Sequence, residues 1–263
     1  MTIIPKVQIE QVSIKYQTLD GETNALENIC LAIGEGEFVS IVGPSGCGKS
    51  TLLSLISGLL KPTAGRVLVD GKPPQTSSQK LGYMLQQDYL FEWRTVYKNI
   101  MLGLEIQGKD KHSVKNKVHN LLKQYGLWGF RHYYPHQLSG GMRQRVALIR
   151  TLAVDPEILL LDEPFAALDY QTRLTLEEEV ATILKRANKT VILVTHDISE
   201  AVAMSDRVVV ISRRPGRVKA DFAIRYAAGR LSPFETRKAP EFRDYFNRIW
   251  KELDIHVEGT HAQ

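Results

Sequence analysis

The sequence is poor in the devices on which small secreted and membrane proteins depend. Only two cysteines occur in 263 residues, Cys30 and Cys47. They make no disulfide framework, and no Cys/His spacing resembles a metal site. No apolar run approaches the ~18–20 residues that span a bilayer. The opening "MTIIPKVQIE" has no charged region followed by an apolar one, so it does not read as a secretory leader. Internal repeats, low-complexity tracts and long linkers are lacking as well. These absences leave a cytoplasmic location as the expectation. A composition of 43% hydrophobic and 24% charged residues is that of a soluble globular chain with a sizeable core.

Acidic residues are scarce in one region only. Between Ile211 and Lys251 there are eleven Lys/Arg against four Asp/Glu, a surplus of seven in a chain whose formal charge is +5. A basic stretch can approach nucleic acid or anionic lipid. No RNA-binding aromatic motif accompanies it, so a solvated basic surface is expected and nucleic acid is not. Its apolar residues have a separate reason. Pro240 stands where a first-turn proline belongs, and Phe242, Tyr245, Phe246, Ile249, Trp250 and Leu253 form a helical stripe. This helix is expected to pack on the protein's own core, with partner docking or regulation as the alternative.

Short apolar runs ending in turns are abundant. "EFVSIVG", "EILLLDEP", "TVILVTHD" and "DRVVVIS" read as buried strands of the parallel type. They alternate with helical patterns, which argues for an α/β layered core. Asp197 with Glu200 three residues on has the capping-box arrangement. At the front, "VQIEQVSIKYQ" and "GRVLVDGKP" read as antiparallel strands. From about Asp88 to Ala153 helical patterns take over. There Val114, Val118, Leu121, Leu122 and Tyr125 share one face, and Gly126 sits where a helix-ending glycine belongs.

"GPSGCGKS" fits the G-x-x-x-x-G-K-[ST] phosphate loop, with a strand before it and a helix after it. Backbone N–H groups would wrap phosphates, Lys49 would reach the β- and γ-phosphates, and Ser50 could ligate Mg²⁺. Cys47 fills a variable position of the pattern. "ILLLDEP" ends a strand in two carboxylates, Asp162 suited to the metal and Glu163 to polarising an attacking water. Hydrolysis needs the second carboxylate, whereas phosphate binding alone does not. Gln86 and His196 each follow a predicted strand of the same sheet, and so point toward the γ-phosphate. "PHQLSGGMRQR" makes a second glycine-rich helix start at Ser139, Gly140 and Gly141. It lies on the helical insert rather than on the sheet that carries Lys49. One nucleotide could not easily meet both within one chain, so a two-fold dimer with shared sites is suggested.

These motifs together resemble the ATP-binding subunit of an ABC transporter, and the resemblance covers nearly the whole chain. It implies an α/β P-loop NTPase (RecA-like) core with an antiparallel β subdomain and an inserted α-helical signature subdomain. The ATPase domain would span residues 1–230, with about 88–153 as the insert and 231–263 as a helical tail. The loop Gly43, Pro44, Ser45, Gly46, Cys47, Gly48, Lys49, Ser50 and Thr51 would bind ATP, with Tyr16 stacking on adenine. Ser50, Gln86 and Asp162 would hold Mg²⁺, Glu163 would be the catalytic base, and His196 the switch histidine acting with Gln86 and Lys49. Ser139, Gly140, Gly141 and Asp169 of "AALD" would complete the site.

Finer similarities ("LFEWRTVYKNI", "YPHQLSGGM", "ISRRPGRV") are to importer ATPases of the nitrate, sulfonate and taurine group. Glu92 and Gln87 depart from that group's pattern, near the surface expected to meet the membrane subunits. The implied partners are a second ATPase subunit, expected to be an identical chain, transmembrane permease subunits and, indirectly, an extracytoplasmic solute-binding protein. The implied place is the cytoplasmic face of the membrane. A soluble ABC ATPase acting on DNA or ribosomes is the alternative.

Overall fold

Strands whose two faces are both covered read as near-continuous apolar runs. Three runs satisfy this and make the centre of a six-stranded sheet. A computed structural model gives the architecture for residues 5–18, 21–166, 168–229 and 231–253. The end of the expected tail, 254–263, and Ala167 of "AALD" lie outside the described residues.

The first half of the chain runs β1 (Val7–Thr18), β2 (Gly21–Ile33), β3 (Phe38–Val42), α1 (Lys49–Ile56), β4 (Ala64–Val69) and β5 (Leu81–Met84). Three helices follow without an intervening strand: α2 (Val96–Ile106), α3 (Lys111–Gln124) and α4 (Gly140–Ala153). The chain then returns to alternation with β6 (Ile158–Asp162), α5 (Tyr170–Arg186), β7 (Thr190–Thr195), α6 (Ile198–Met204) and β8 (Arg207–Ile211). It closes with β9 (Val218–Ala223), α7 (Pro233–Thr236) and α8 (Pro240–Glu252).

The large sheet has the order β5-β6-β7-β3-β8-β9, parallel throughout except for β9 at the edge. Every residue of β3, β6 and β7 is buried. Their two faces divide the core by the strand period of two. Leu159, Leu161, Val191 and Leu193 pack with the helices, against Val118, Leu122, Val146 and Ile149. Ile158, Leu160, Ile192 and Val194 face the other way, onto Leu52, Leu53 and Ile56 of α1 and the apolar side of the smaller sheet. That sheet is antiparallel, in the order β2-β1-β4.

Two strands depart from expectation. β2 inserts beside β1 where only β1 and β4 are legible, because its "GETNALENICLAI" mixes polar residues with apolar ones and only its inward side is buried. β9 is an edge strand with alternating half-exposed residues. The predicted stripe on α3 is buried at Val114, Val118, Leu122 and Tyr125. Gly126, at φ 68°, ends the helix while Leu127 N–H reaches Leu122 O at 2.7 Å.

The capping box at α6 is only half formed. Asp197 Oδ1 accepts from the N–H groups of Ser199 and Glu200, at 2.8 and 3.2 Å. Asp197 N–H, however, goes to Thr195 Oγ1, and Glu200 is buried at 3% exposure instead of reaching back. The tail helix α8 lies on the core as expected. Its Ile249 is fully buried and packs with Val202, Val208 and Val210. Among the described residues no helix is long and apolar enough to cross a membrane.

Candidate nucleotide site

The phosphate loop joins the end of β3 to the start of α1. Gly48, the residue before the helix, has φ 104°, and a Cβ there would stand 2.6 Å from Leu26 Cδ2. Only glycine fits this turn. The N–H groups at the start of α1 lack intrahelical partners and carry the positive end of the helix dipole, the usual seat of a phosphate. Lys49 is buried, and its Nζ donates to Gly43 O at 2.7 Å and Pro44 O at 2.9 Å. Cys47 is also buried, and burial pushes its thiol above the ordinary value while Lys49 partly opposes that. This fits a packing role.

β6 delivers the two carboxylates. Burial raises the Asp162 carboxyl above its usual range, while the Ser50 hydroxyl, donating to Oδ1 at 3.1 Å, pulls it back. The next residue turns sharply. Glu163 has φ 47°, a conformation that costs a side-chain-bearing residue about 1–3 kcal/mol. It is held there by its N–H on Val194 O at 2.8 Å. The turn sets its carboxylate between two strand ends. Oε2 accepts from Gln86 Nε2 at 3.2 Å, and Oε1 lies 3.3 Å from His196 Nδ1.

One open cavity of about 560 Å³ is lined by Ser45, Gly46, Gly48, Lys49, Ser50, Thr51, Gln86, Glu163 and His196, a volume within the range of small-molecule sites. Tyr16 stands at its edge, with its hydroxyl 3.4 Å from Thr51 Oγ1.

The signature residues are elsewhere. Ser139 caps α4 by accepting from Met142 N–H at 3.3 Å, and Gly140 opens the helix. Gly141 lets Leu168 approach, since a Cβ would lie 2.9 Å from Leu168 Cδ2. Asp169 caps α5, and the bond from Thr172 holds its carboxyl below the ordinary value. Ser139, Gly141, Asp169 and Thr172 line a second cavity, which shares no lining residue with the first.

Some neighbours were not anticipated. Arg214, in the turn after β8, lines the first cavity; the "SRRPGR" run carries it but assigns it no place. Asp88 links the segment after Gln86 to α4, accepting from Arg143 Nε at 2.8 Å. Glu92, one of the departures from the importer pattern, joins the same arginine at 3.0 Å. Buried Asn99 ties the intervening turn through the carbonyls of Phe91, Arg94 and Thr95.

The donor set suits Mg²⁺. Ser50 Oγ and Asp162 Oδ1 are hard oxygens on neighbouring elements, and the Gln86 side chain approaches from β5. Mg²⁺ usually takes one or two protein ligands and completes its shell with phosphate oxygens and water.

The family is established by comparison. The ABC transporter family profile matches residues 26–166. An ABC transporter ATP-binding protein of Bacillus subtilis (YtlC) is 46% identical over 94% of this chain and 95% of its own. The taurine import ATP-binding protein TauB of Burkholderia pseudomallei is 42% identical over 96% and 98%. A dimeric bacterial ABC transporter cassette superposes with a TM-score of 0.77 at 34% identity, covering 83% of this chain and 99% of that one. A cassette in a post-hydrolysis state with ADP and Pi superposes at 0.76 with 36% identity. The chain therefore belongs to the ABC transporter family, as its ATP-hydrolysing cassette.

Proposed function

We propose that this cassette drives an importer, as one of two identical chains that close head to tail on two ATP molecules beneath membrane permease subunits. The observation that carries this reading is the separation of two half-sites: Lys49, Ser50, Glu163 and His196 share one cavity, and Ser139 and Asp169 share another. Each chain then lends its second half-site to the other. Residues 1–230 form the ATPase domain, with the helical signature part inserted at about 88–153 and the tail at 231–263.

In each composite site Lys49 and the loop amides from Gly43 to Thr51 bind the phosphates, and Tyr16 stacks on the base. Ser50, Gln86 and Asp162 would hold Mg²⁺, which would neutralise phosphate charge. Glu163 accepts the proton of the attacking water, with His196 and Gln86 orienting its carboxylate. Ser139, Gly140, Gly141 and Asp169 close the site from the partner. Catalysis of this kind rests on positioning and charge rather than on covalent chemistry.

The segment after Gln86 is the route to the membrane. Trp93 is 74% exposed and Tyr89 58%, two large aromatic rings on one segment. Arg143 and Arg150 anchor the same segment to the signature helix α4. A permease helix seated on these rings would feel each closure. Similarity to a taurine import protein supports a small cargo bearing an anionic group, such as taurine, another sulfonate or nitrate, delivered by an extracytoplasmic binding protein. The test is co-purification of the tagged chain: recovery with integral membrane proteins, lost in Trp93→Glu while the isolated chain still hydrolyses ATP. Recovery with ribosomes or DNA would overturn the importer assignment.

A further inference from the structure

The C-terminal segment reaches the catalytic loops through a buried cluster of charges. Arg173 and Glu177 lie one turn apart on α5, directly after the Asp169 cap. The Arg173 guanidinium bridges two turns of the site. Its Nη2 donates to Leu168 O at 3.3 Å, beside Asp169, and its Nη1 donates to Asp197 Oδ2 at 3.1 Å, beside His196. Glu177 is fully buried and is met by Arg237, the residue that ends α7 in the C-terminal segment. Helix α7 is further fixed to α5 by Phe234 N–H on Glu178 Oε2 at 3.0 Å. Glu200 completes the group at 3% exposure.

The cluster has bonding capacity to spare. Three carboxylates (Glu177, Asp197, Glu200) meet two guanidiniums (Arg173, Arg237). Burial, with Glu177 and Asp197 adding to it, holds the Glu200 carboxyl well above its ordinary value, and burial raises Glu177 too while Arg237 opposes that. Yet Arg173 Nε, Glu177 Oε1 and Glu200 Oε1 are buried without a hydrogen-bond partner among the described residues. A buried carboxylate keeps a strong demand for a cation. Glu177 is four residues from Arg173 on the same helix face, so it competes with the half-exposed Asp197 for that guanidinium. Arg237 takes Glu177 Oε2 and so weakens the competition.

We propose that Arg173 is a positioning residue that holds the Asp169 turn and the His196 turn in one geometry, and that Arg237 keeps it there by occupying Glu177. The C-terminal segment thereby tunes hydrolysis without touching nucleotide. The inference rests on the roles proposed above for His196 and Asp169.

The test is steady-state ATP hydrolysis by the full chain. In Arg237→Met, kcat should fall about tenfold, within the ~100-fold that a misplaced catalytic group can cost. KM for ATP should stay within about twofold, because the phosphate loop is untouched. Arg237→Lys should keep most of the activity. The decisive arm is Glu177→Gln combined with Arg237→Met, which removes the competing charge and should return kcat to near the wild-type value. A destabilised but otherwise unaffected tail would not be rescued in this way. Wild-type kcat in Arg237→Met, or a loss that Glu177→Gln leaves in place, overturns the proposal. If Arg237→Met does not fold, Arg173→Met decides the matter, since a folded variant with wild-type kcat is equally fatal. His196→Ala stands as the separate control: if it retains full turnover, the role of His196 itself fails, whatever Arg237 does.

Discussion

Gln86 donates its side-chain amide to Glu163 across 77 positions of sequence, at 3.2 Å. The bond joins the strand end that leads into the helical region to the carboxylate beside the phosphate loop. Any displacement of the Gln86–Trp93 segment is therefore felt at Glu163, and the reverse holds too.

Glu163→Gln keeps the size of the side chain and its bond from Gln86 but cannot take a proton. Turnover should drop by about 100-fold or more, the range of a lost general base, while ATP binding persists and dimers accumulate. Phosphate release measured beside nucleotide binding checks this. Turnover close to wild type would remove Glu163 from the role of base.

Sharing of the site between chains predicts complementation. Lys49→Ala alone and Ser139→Arg alone should each be inactive, since both sites of such a dimer carry a defect. Mixed in equal amounts they form hybrid dimers with one intact site, so activity should reappear at about a quarter of the wild-type level for random pairing. No recovery on mixing would argue that each chain uses its own serine.

The α8 stripe should behave as core where it is buried and as surface where it is not. Ile249→Ala should lower stability by about 2–4 kcal/mol, as for other buried aliphatic truncations. Trp250, 40% exposed and stacked on Phe246, should lose about 1 kcal/mol as alanine. Denaturant unfolding of the two variants distinguishes them, and equal losses would contradict the packing described.

Glu200 gives stability a pH dependence of known sign. In the folded chain burial pushes its carboxyl well above the ordinary value of 4.5 near which it ionises in the unfolded chain. Above that pH unfolding releases a proton, so this group's contribution to stability falls as pH rises, by up to ~1.4 kcal/mol per unit. Glu200→Gln lacks the proton to lose. Its stability relative to wild type should therefore climb as pH rises above about 4.5, and level off below it. Parallel stability curves would show Glu200 to be ionised in the fold.

Much of this was legible in the residues themselves, for reasons that differ from place to place. β3, β6 and β7 are legible, to within a residue or two at their ends, because burial on both faces writes a near-continuous apolar run. The phosphate loop is read because glycine at Gly48 and lysine at Lys49 answer to local geometry. β2 and β9 escape detection because one exposed face interrupts the pattern, and such strands exist only through their neighbours. Glu200 looked like a helix cap at three residues' distance from Asp197, yet the core on which α6 packs draws its carboxyl inward.

The sequence by itself determined the chemistry on offer: a phosphate loop, two adjacent carboxylates, a glutamine and a histidine at strand ends, and a second glycine turn set apart from the first. Those signals are local, because each depends on a few consecutive residues and the backbone they force. Only the tertiary structure decided which groups meet: Gln86 and His196 on one carboxylate, Arg214 in the nucleotide cavity, and Arg237 on a glutamate sixty positions away behind the catalytic turns. Such pairings follow from how strands stack and helices cross, and neither period nor spacing along the chain records them.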